Sequence, residues 1–327
     1  MNTGKLPPEI LTALLSRTRT DPSVIIGPAY GEDAAAVRFE GKVLVAAADP
    51  ITFTTDHIGR YAVAVNANDI AVLGATPRYF LATILLPEGS TESDAESVFT
   101  EIEQACREVD VTLIGGHTEI TSTVSQTVVS GCMLGEADEP SLIRTGGAGA
   151  GDALILAGPI AIEGTAILAK EEPAGVSGEI IACAASFLDD PGICILRHAR
   201  IAIQTGGVTA MHDPTEGGLA TALRELTSAS VKGIIIDRDA IPILPECRAI
   251  CDALKLDPLG LLASGSLLIA AEPDSVPALL AAFEREGISA ARIGDVTADK
   301  DELVFTDGSP LPSFTRDEIA RYFNGIT

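Results

Sequence analysis

The sequence predicts an α/β protein built as two layered domains, and three observations carry that prediction. The composition is aliphatic: 46% of the 327 residues are hydrophobic, aromatics make up only 4% and Trp is absent. Such a balance suits β-sheets covered by helices. Strand-like apolar runs alternate with helix-like segments along the chain, and the glycine-rich stretch RTGGAGAGD, Arg144 to Asp152, separates two parts of similar size. The expected domains are therefore residues 1–146 and 150–327.

LPPEILTALLSRT has a Pro pair followed by helical apolar spacing, which predicts a short leading helix. AAAVRFEGKVLVAAADPI carries two β-like stretches around Glu40 and Gly41, a hairpin signal. Ile58 to Gly74 reads as a helix by its length and small residues, and YFLATILLP as a buried strand. SDAESVFTEIEQACREV is an amphipathic helix opened by Ser93 or Asp94, after which VTLIGG and TVSQTVVSGCMLGE are strands. Beyond the break, ALILAGPIA begins a second α/β half. It continues through helices ending at Ala169 and around Cys183, the segment GVTAMHDPTEGGLATALREL, and the strand KGIIID. SLLIAAEP, a helix from Val276 to Glu286 and the strand AARIGDV complete it, and the tail from Asp307 to Thr327 is left open as ordered or free.

A formal charge of -24 at pH 7, with no block of Lys or Arg, argues against nucleic acid and anionic membrane surfaces as partners. Met1 is not followed by a basic segment and an apolar core, and no run approaches the roughly 20 apolar residues of a membrane span. A cytoplasmic location is expected. The six cysteines contain no CxxC pair and sit in apolar surroundings, as reduced thiols do. Cys247 and Cys251, one helical turn apart, read as core packing or as half of a metal site.

The candidate chemistry begins with NANDIAVLGATPRY, Asn66 to Tyr79, which places Asn66, Asn68 and Asp69 inside an apolar helical stretch. Burying an ionised carboxylate without a partner costs several kcal/mol or more, so Asp69 requires a cation, a donor or a wet cleft. Three other polar turns fall in the same half: GEDAAAV with Asp33, AADPI with Asp49, and GGHTE with His117 and Glu119. Each acid taken alone is more often a turn or cap residue. Together they supply the oxygen ligands that Mg²⁺ uses to bridge a protein to substrate phosphates. Gly115 and Gly116 either form a tight turn or let the backbone approach a phosphate, with His117, Thr118 and Glu119 facing the same cleft.

In the second half, HDPTEGGL fits a capping box, with Asp213 at the N-cap, Pro214 at N1 and Glu216 at N3. Gly217 and Gly218 in a first helical turn are costly for a helix, and would present amides to an anion. The chain has no P-loop, no kinase lysine motif and no GxGxxG after a strand, so ATP, if bound, is held by another architecture.

GEDAAAV, the NANDIAVLGATPRY helix, GGHTE and DPTEGGL, in that order, resemble the aminoimidazole ribonucleotide synthetase (PurM) superfamily over nearly the whole chain. The branch most similar is that of the hydrogenase maturation factors named HypE, through DHIGRYAVAVNANDIAVLGATPRYFLATILLPEG and AIPILPECRAICDALKLDPLGLLA. The resemblance implies a two-domain PurM-like fold, with an N-terminal mixed sheet and helices that form a barrel across a homodimer, and a C-terminal αβ sandwich. It implies the cofactors ATP and Mg²⁺, with Asp33, Asp49, Asp69 and Glu119 at the metal. Asn66, Asn68, Gly115, Gly116, Thr118, Gly217 and Gly218 would bind the nucleotide, while Asp69, His117 and Asp213 carry catalysis. The implied reaction is transfer of the γ-phosphoryl group to an oxygen of a small-molecule or protein-borne, amide-like acceptor, with hydrogenase maturation proteins as partners. A nucleotide-binding scaffold and a metal-dependent phosphate hydrolase are the alternatives. Two departures bear on the acceptor: the sequence ends RYFNGIT where HypE ends in a cysteine, and Ser264 to Ser266 reads SGS where HypE has Glu-Gly-Lys.

Overall fold

The computed structural model describes residues 6–19, 21–52, 54–323 and 325, so Asn324, Ile326 and Thr327 of the open tail lie outside the described residues. Two compact units emerge. One contains residues 21–27 and 33–142, here the N-terminal unit. The other contains residues 6–19, 28–32, 143–323 and 325, here the C-terminal unit. The leading segment, with helix α1 (Pro8–Leu15), thus packs with the C-terminal half, which apolar patterning alone could not reveal.

The N-terminal unit is a mixed sheet with helices on one face. Its strands are β1 (Val24–Ile26), β2 (Ala35–Phe39), β3 (Lys42–Ala47), β4 (Pro50–Ile51), β5 (Thr76–Pro87), β6 (Thr112–Thr121) and β7 (Val128–Ala137). They run in the order β1-β2-β3-β7-β5-β6, with β4 also on β7; β5 and β6 are parallel and the other pairs antiparallel. The hairpin at Glu40–Gly41 forms as expected, both residues taking positive φ.

Strand alternation sends Val43, Val45 and Ala47 of β3, Phe80, Ala82, Ile84 and Leu86 of β5, and Val129 and Met133 of β7 to one buried face. Helix α2 (Ile58–Val72) covers it and is buried at nearly every residue. A Cβ on Gly131 would lie 2.4 Å from Asn66 Nδ2, and one on Gly135 2.4 Å from Ile70, so these two glycines set how closely α2 approaches β7. Helix α3 (Glu92–Glu108) packs beside α2 and buries Val98, Ile102, Ala105 and Cys106. Its N-cap is Thr91, which forms a reciprocal capping box with Asp94, rather than Ser93 or Asp94 as the sequence suggested. Burial pushes the Cys106 thiol up to about 11.

The C-terminal unit holds a second mixed sheet, ordered β13-β10-β12-β8-β11-β9. Its strands are β8 (Ala153–Ala157), β9 (Val208–His212), β10 (Gly233–Ile236), β11 (Leu267–Ala271), β12 (Ala290–Thr297) and β13 (Leu303–Phe305). β8 and β11 are buried at every residue, so both faces of the sheet are covered there, which is why both read as uninterrupted apolar runs. The helices are α4 (Ile162–Ala169), α5 (Gly178–Ala185), α6 (Leu196–Thr205), α7 (Gly218–Ser230), α8 (Pro245–Leu254), α9 (Val276–Arg285) and α10 (Glu318–Phe323). Cys247 and Cys251 are buried on α8, in keeping with core packing, and no disulfide links the six cysteines. Among the described residues no helix is long and apolar enough to cross a membrane.

Candidate functional site

The polar insertion in α2 has a local explanation for its first member. Asn66 is fully buried, and its side chain is taken up by backbone. Oδ1 accepts from the Asp49 amide at 2.9 Å, while Nδ2 donates to Asp49 O at 3.2 Å and Ala62 O at 2.8 Å. A primary amide has two donors and a carbonyl acceptor, so these contacts leave little capacity for a ligand. Asn66 therefore positions the turn that presents Asp49, whose side chain is exposed.

Asn68 is fully buried and Asp69 is 5% exposed, both within the same helix. Asp69 stands three residues beyond Asn66 and so shares its side of α2. Asp33 is half-buried immediately before β2. Within the N-terminal unit, no three Asp, Glu, His or Cys ligand atoms among the described residues lie within 4.8 Å of one another. Asp33, Asp49, Asp69 and Glu119 therefore do not form a closed cage of protein ligands.

GGHTE is not a turn but the middle of β6. Gly115 and Gly116 have φ of +149° and +146°, backbone that side chains rarely adopt, and a Cβ on Gly116 would sit 1.9 Å from Ala82 O. Gly116 is thus required by the pairing with β5 and Gly115 by its φ alone, next to a register shift between Phe80 and Leu81. The strand's alternation turns the side chains of His117 and Glu119 to one face and that of Thr118 to the other. Thr118 pairs with buried Ile84 on the face toward the helices, though on this edge strand it is itself exposed, whereas His117 and Glu119 pair with Thr83 and Leu85 on the open face. On that face His117 Nε2 and Glu119 Oε2 are 3.2 Å apart and both side chains are exposed. A 320 Å³ cavity on the helix side is lined by Ile84, Phe99, Ile102, the two glycines, His117 and Thr118, among others.

In the C-terminal unit, β9 ends at His212 and leads directly into Asp213, both buried. His212 Nε2 is 2.9 Å from Glu225 Oε2, a carboxylate on α7 that fixes the imidazole. The capping box expected at Asp213 does not form. Helix α7 starts later, at Gly218, with Gly217 as a left-handed N-cap at φ +84° and no side-chain cap. A Cβ on Gly217 would meet Thr221 Oγ1 at 2.2 Å and one on Gly218 would meet Leu259 O at 2.5 Å, so glycine suits both positions. The Gly217 amide is occupied by a residue the sequence gave no reason to suspect: it donates to Asp317 Oδ2 at 2.6 Å. Asp317 Oδ1 accepts from Leu262 N at 3.2 Å and Ile319 N at 2.8 Å. Burial nevertheless pushes Asp317 up to about 7. Glu163 on α4 was missed as well. It is 5% exposed and pushed up to about 7, by burial first and by the charge of Asp317 in smaller part. Its signal was a lone acid in the apolar run AIEGTAIL, the same signal that flagged Asp69.

Comparison with known proteins places these residues in a family. The N-terminal domain family of AIR synthase related proteins matches residues 31–137, and the corresponding C-terminal domain family matches residues 149–306. The carbamoyl dehydratase HypE of Rhizobium leguminosarum bv. viciae is 33% identical over 84% of this chain and 79% of its own. That of Cupriavidus necator is 35% identical over 82% and 78%. A crystal structure of a hydrogenase maturation protein HypE in complex with ATP superposes with a TM-score of 0.73 at 24% identity, covering 98% of each chain. That likeness establishes the two-domain, PurM-like arrangement of mixed sheets and helices.

Proposed function

The chain belongs to the AIR synthase related protein family, and from that premise we propose that it is a cytoplasmic enzyme using Mg-ATP to phosphorylate an oxygen of a small-molecule or amide-like acceptor. The observation that carries this reading is the clamp of Asn66 on Asp49 beside buried Asp69. A helix spends a buried amide to present one carboxylate, and keeps a second carboxylate on the same side. That is construction for a ligand rather than for stability, since an apolar helix would pack more cheaply.

The donor set suits Mg²⁺, a hard cation that takes one or two protein carboxylates and completes its shell with water and phosphate oxygens. An open arrangement of Asp33, Asp49 and Asp69 is compatible with that habit. These acids would hold the ion, which would neutralise charge on the transferred phosphoryl group. The relative crystallised with ATP belongs to the same fold and supports the nucleotide. Asn68 and Thr118 remain candidates for nucleotide contacts, and Asp213, held in the C-terminal unit beside the fixed His212, for catalysis.

A homodimer through the N-terminal sheet fits the exposed β6. It is an edge strand with one neighbour, and Ile114 and Ile120 along it are 50% and 58% exposed. A long edge of this kind is normally paired or covered. His117 and Glu119 stand on the open face, so a partner there would meet them, which keeps both as site residues.

A second reading, a nucleotide-binding scaffold for hydrogenase maturation partners, is favoured by one observation. Ser264 and Ser266, at the positions that resemble the Glu and Lys of HypE, are buried at 1% and 0% exposure. Calorimetric titration of ATP with Mg²⁺ and with EDTA, with phosphate release followed in the same samples, separates the readings. The enzyme reading expects Mg-dependent binding and slow release. Binding without any release across an acceptor screen supports the scaffold, and no binding contradicts both.

A further inference from the structure

The start of α7 is built to take an anion, and the chain fills it with one of its own. The first amides of a helix lack carbonyl partners within it and sit at its positive end. Here the N-cap amide of Gly217 and the nearby amide of Leu262 converge on the Asp317 carboxylate. The segment carrying Asp317 is fastened on both sides. The Phe314 ring rests on Gly260, where an added Cβ would come within 2.7 Å of it. Glu318 accepts from the Asp257 amide at 3.1 Å, and Arg321 donates to Lys255 O at 2.7 Å.

Two further groups beside Asp317 are left incomplete. Glu163 Oε2 and Ser264 Oγ are buried, lie beside each other, and make no close hydrogen bond to any other group among the described residues. Buried polar atoms are rarely left so. Ser264 sits in the loop whose Ala263 amide donates to Thr215 O, next to the start of α7. A hydroxyl and a carboxyl held neutral by burial are both donors, suited to the oxygens of a phosphoryl group. Asp317 cannot use them fully while it is held by three amides, and the charge of Glu216 also opposes its ionised form.

We propose that Asp317 is an intramolecular occupant of a phosphoryl-binding site at the start of α7, and that residues 314–323 form a strap that must lift before an external phosphoryl group enters. The proposal rests on the reading of Gly217 and Gly218 as binding residues, and assigns to that site an autoinhibitory contact. Ser264 and Glu163 become its donors once the strap is displaced.

Inorganic phosphate, without nucleotide or Mg²⁺, is the probe, so that ligand binding by the carboxylates of the N-terminal unit does not enter the result. Calorimetry measures its affinity, and hydrogen exchange with mass spectrometry follows the peptide spanning 314–323. In the wild type, saturating phosphate should speed exchange of that peptide. Asp317→Ala should bind phosphate at least about tenfold more tightly, the scale of one lost charge-assisted competitor. Phe314→Ala, which loosens the strap but keeps the carboxylate, should show a smaller gain and decides the matter alone if Asp317→Ala does not fold. Equal or weaker phosphate binding in Phe314→Ala, or strap exchange unchanged by saturating phosphate, overturns the proposal.

Discussion

Helices α2 and α7 each bring polar groups into apolar surroundings, but they satisfy them over very different spans of chain. On α2, Asn66 is matched to the Asp49 backbone 17 residues away, inside one motif-rich stretch. At the start of α7, the Gly217 amide is matched to Asp317, 100 residues away in the tail. The first arrangement fixes a turn so that its carboxylate faces outward. The second closes a helix end so that nothing faces outward. Local pairing builds the presenting side of the molecule, and distant pairing builds its restraint.

The largest expected effect breaks the local pairing. Asn66→Ala strands the Asp49 amide, while Asp49 O keeps the Gly131 amide and Ala62 O its own helix bond. That group costs about 1–3 kcal/mol and the emptied side-chain volume adds to it, so the loss should be on the order of 3 kcal/mol. Urea unfolding should show a lower midpoint with an unchanged slope. Asp49→Ala, on an exposed side chain, should cost under about 0.5 kcal/mol while weakening Mg-ATP binding. If the two variants destabilise equally, Asn66 does not position Asp49.

Next comes the restraint. Glu163 is raised from an ordinary 4.5 to about 7 by burial, so its neutral form is favoured in the folded chain. That contribution to stability is fully present below about pH 4.5 and is lost as pH rises through 7. Glu163→Gln cannot ionise, and should be more stable than the wild type by roughly 2–3 kcal/mol at pH 8 and near parity at pH 4. Asp317 has the same sign and survives in the variant, so the fall with pH shrinks without vanishing. Thermal unfolding at the two pH values measures it.

The smallest effect is a control on ordinary helix ends. Thr91→Ala removes the cap of α3, whose capping box lies within four residues of sequence, and should cost about 1 kcal/mol in chemical unfolding with no change in phosphate or nucleotide binding.

What the sequence disclosed follows the same division between near and far. The fully apolar strands β8 and β11 and the amphipathic α3 are patterns of adjacent residues, and they were legible. GGHTE was legible as a motif but not as a strand, because a glycine pair after VTLI signals a turn locally. Only the parallel pairing with β5, and the 1.9 Å approach to Ala82 O, make glycine necessary in mid-strand. The capping box at Asp213 satisfied every local rule, yet the left-handed Gly217 delays the helix to Gly218. Asp317 and the packing of residues 6–19 with the C-terminal unit depend on contacts across most of the chain. No window of sequence contains them.

The central claim is that α2 and the turn it clamps exist to hold a metal-bound nucleotide, and titration of Mg-ATP into wild type, Asp69→Asn and Asp49→Asn tests it most directly. The account predicts micromolar, Mg-dependent binding in the wild type and a loss of at least about tenfold in each variant, while their unfolding midpoints stay close to the wild type's. Wild-type affinity retained in both variants would contradict it.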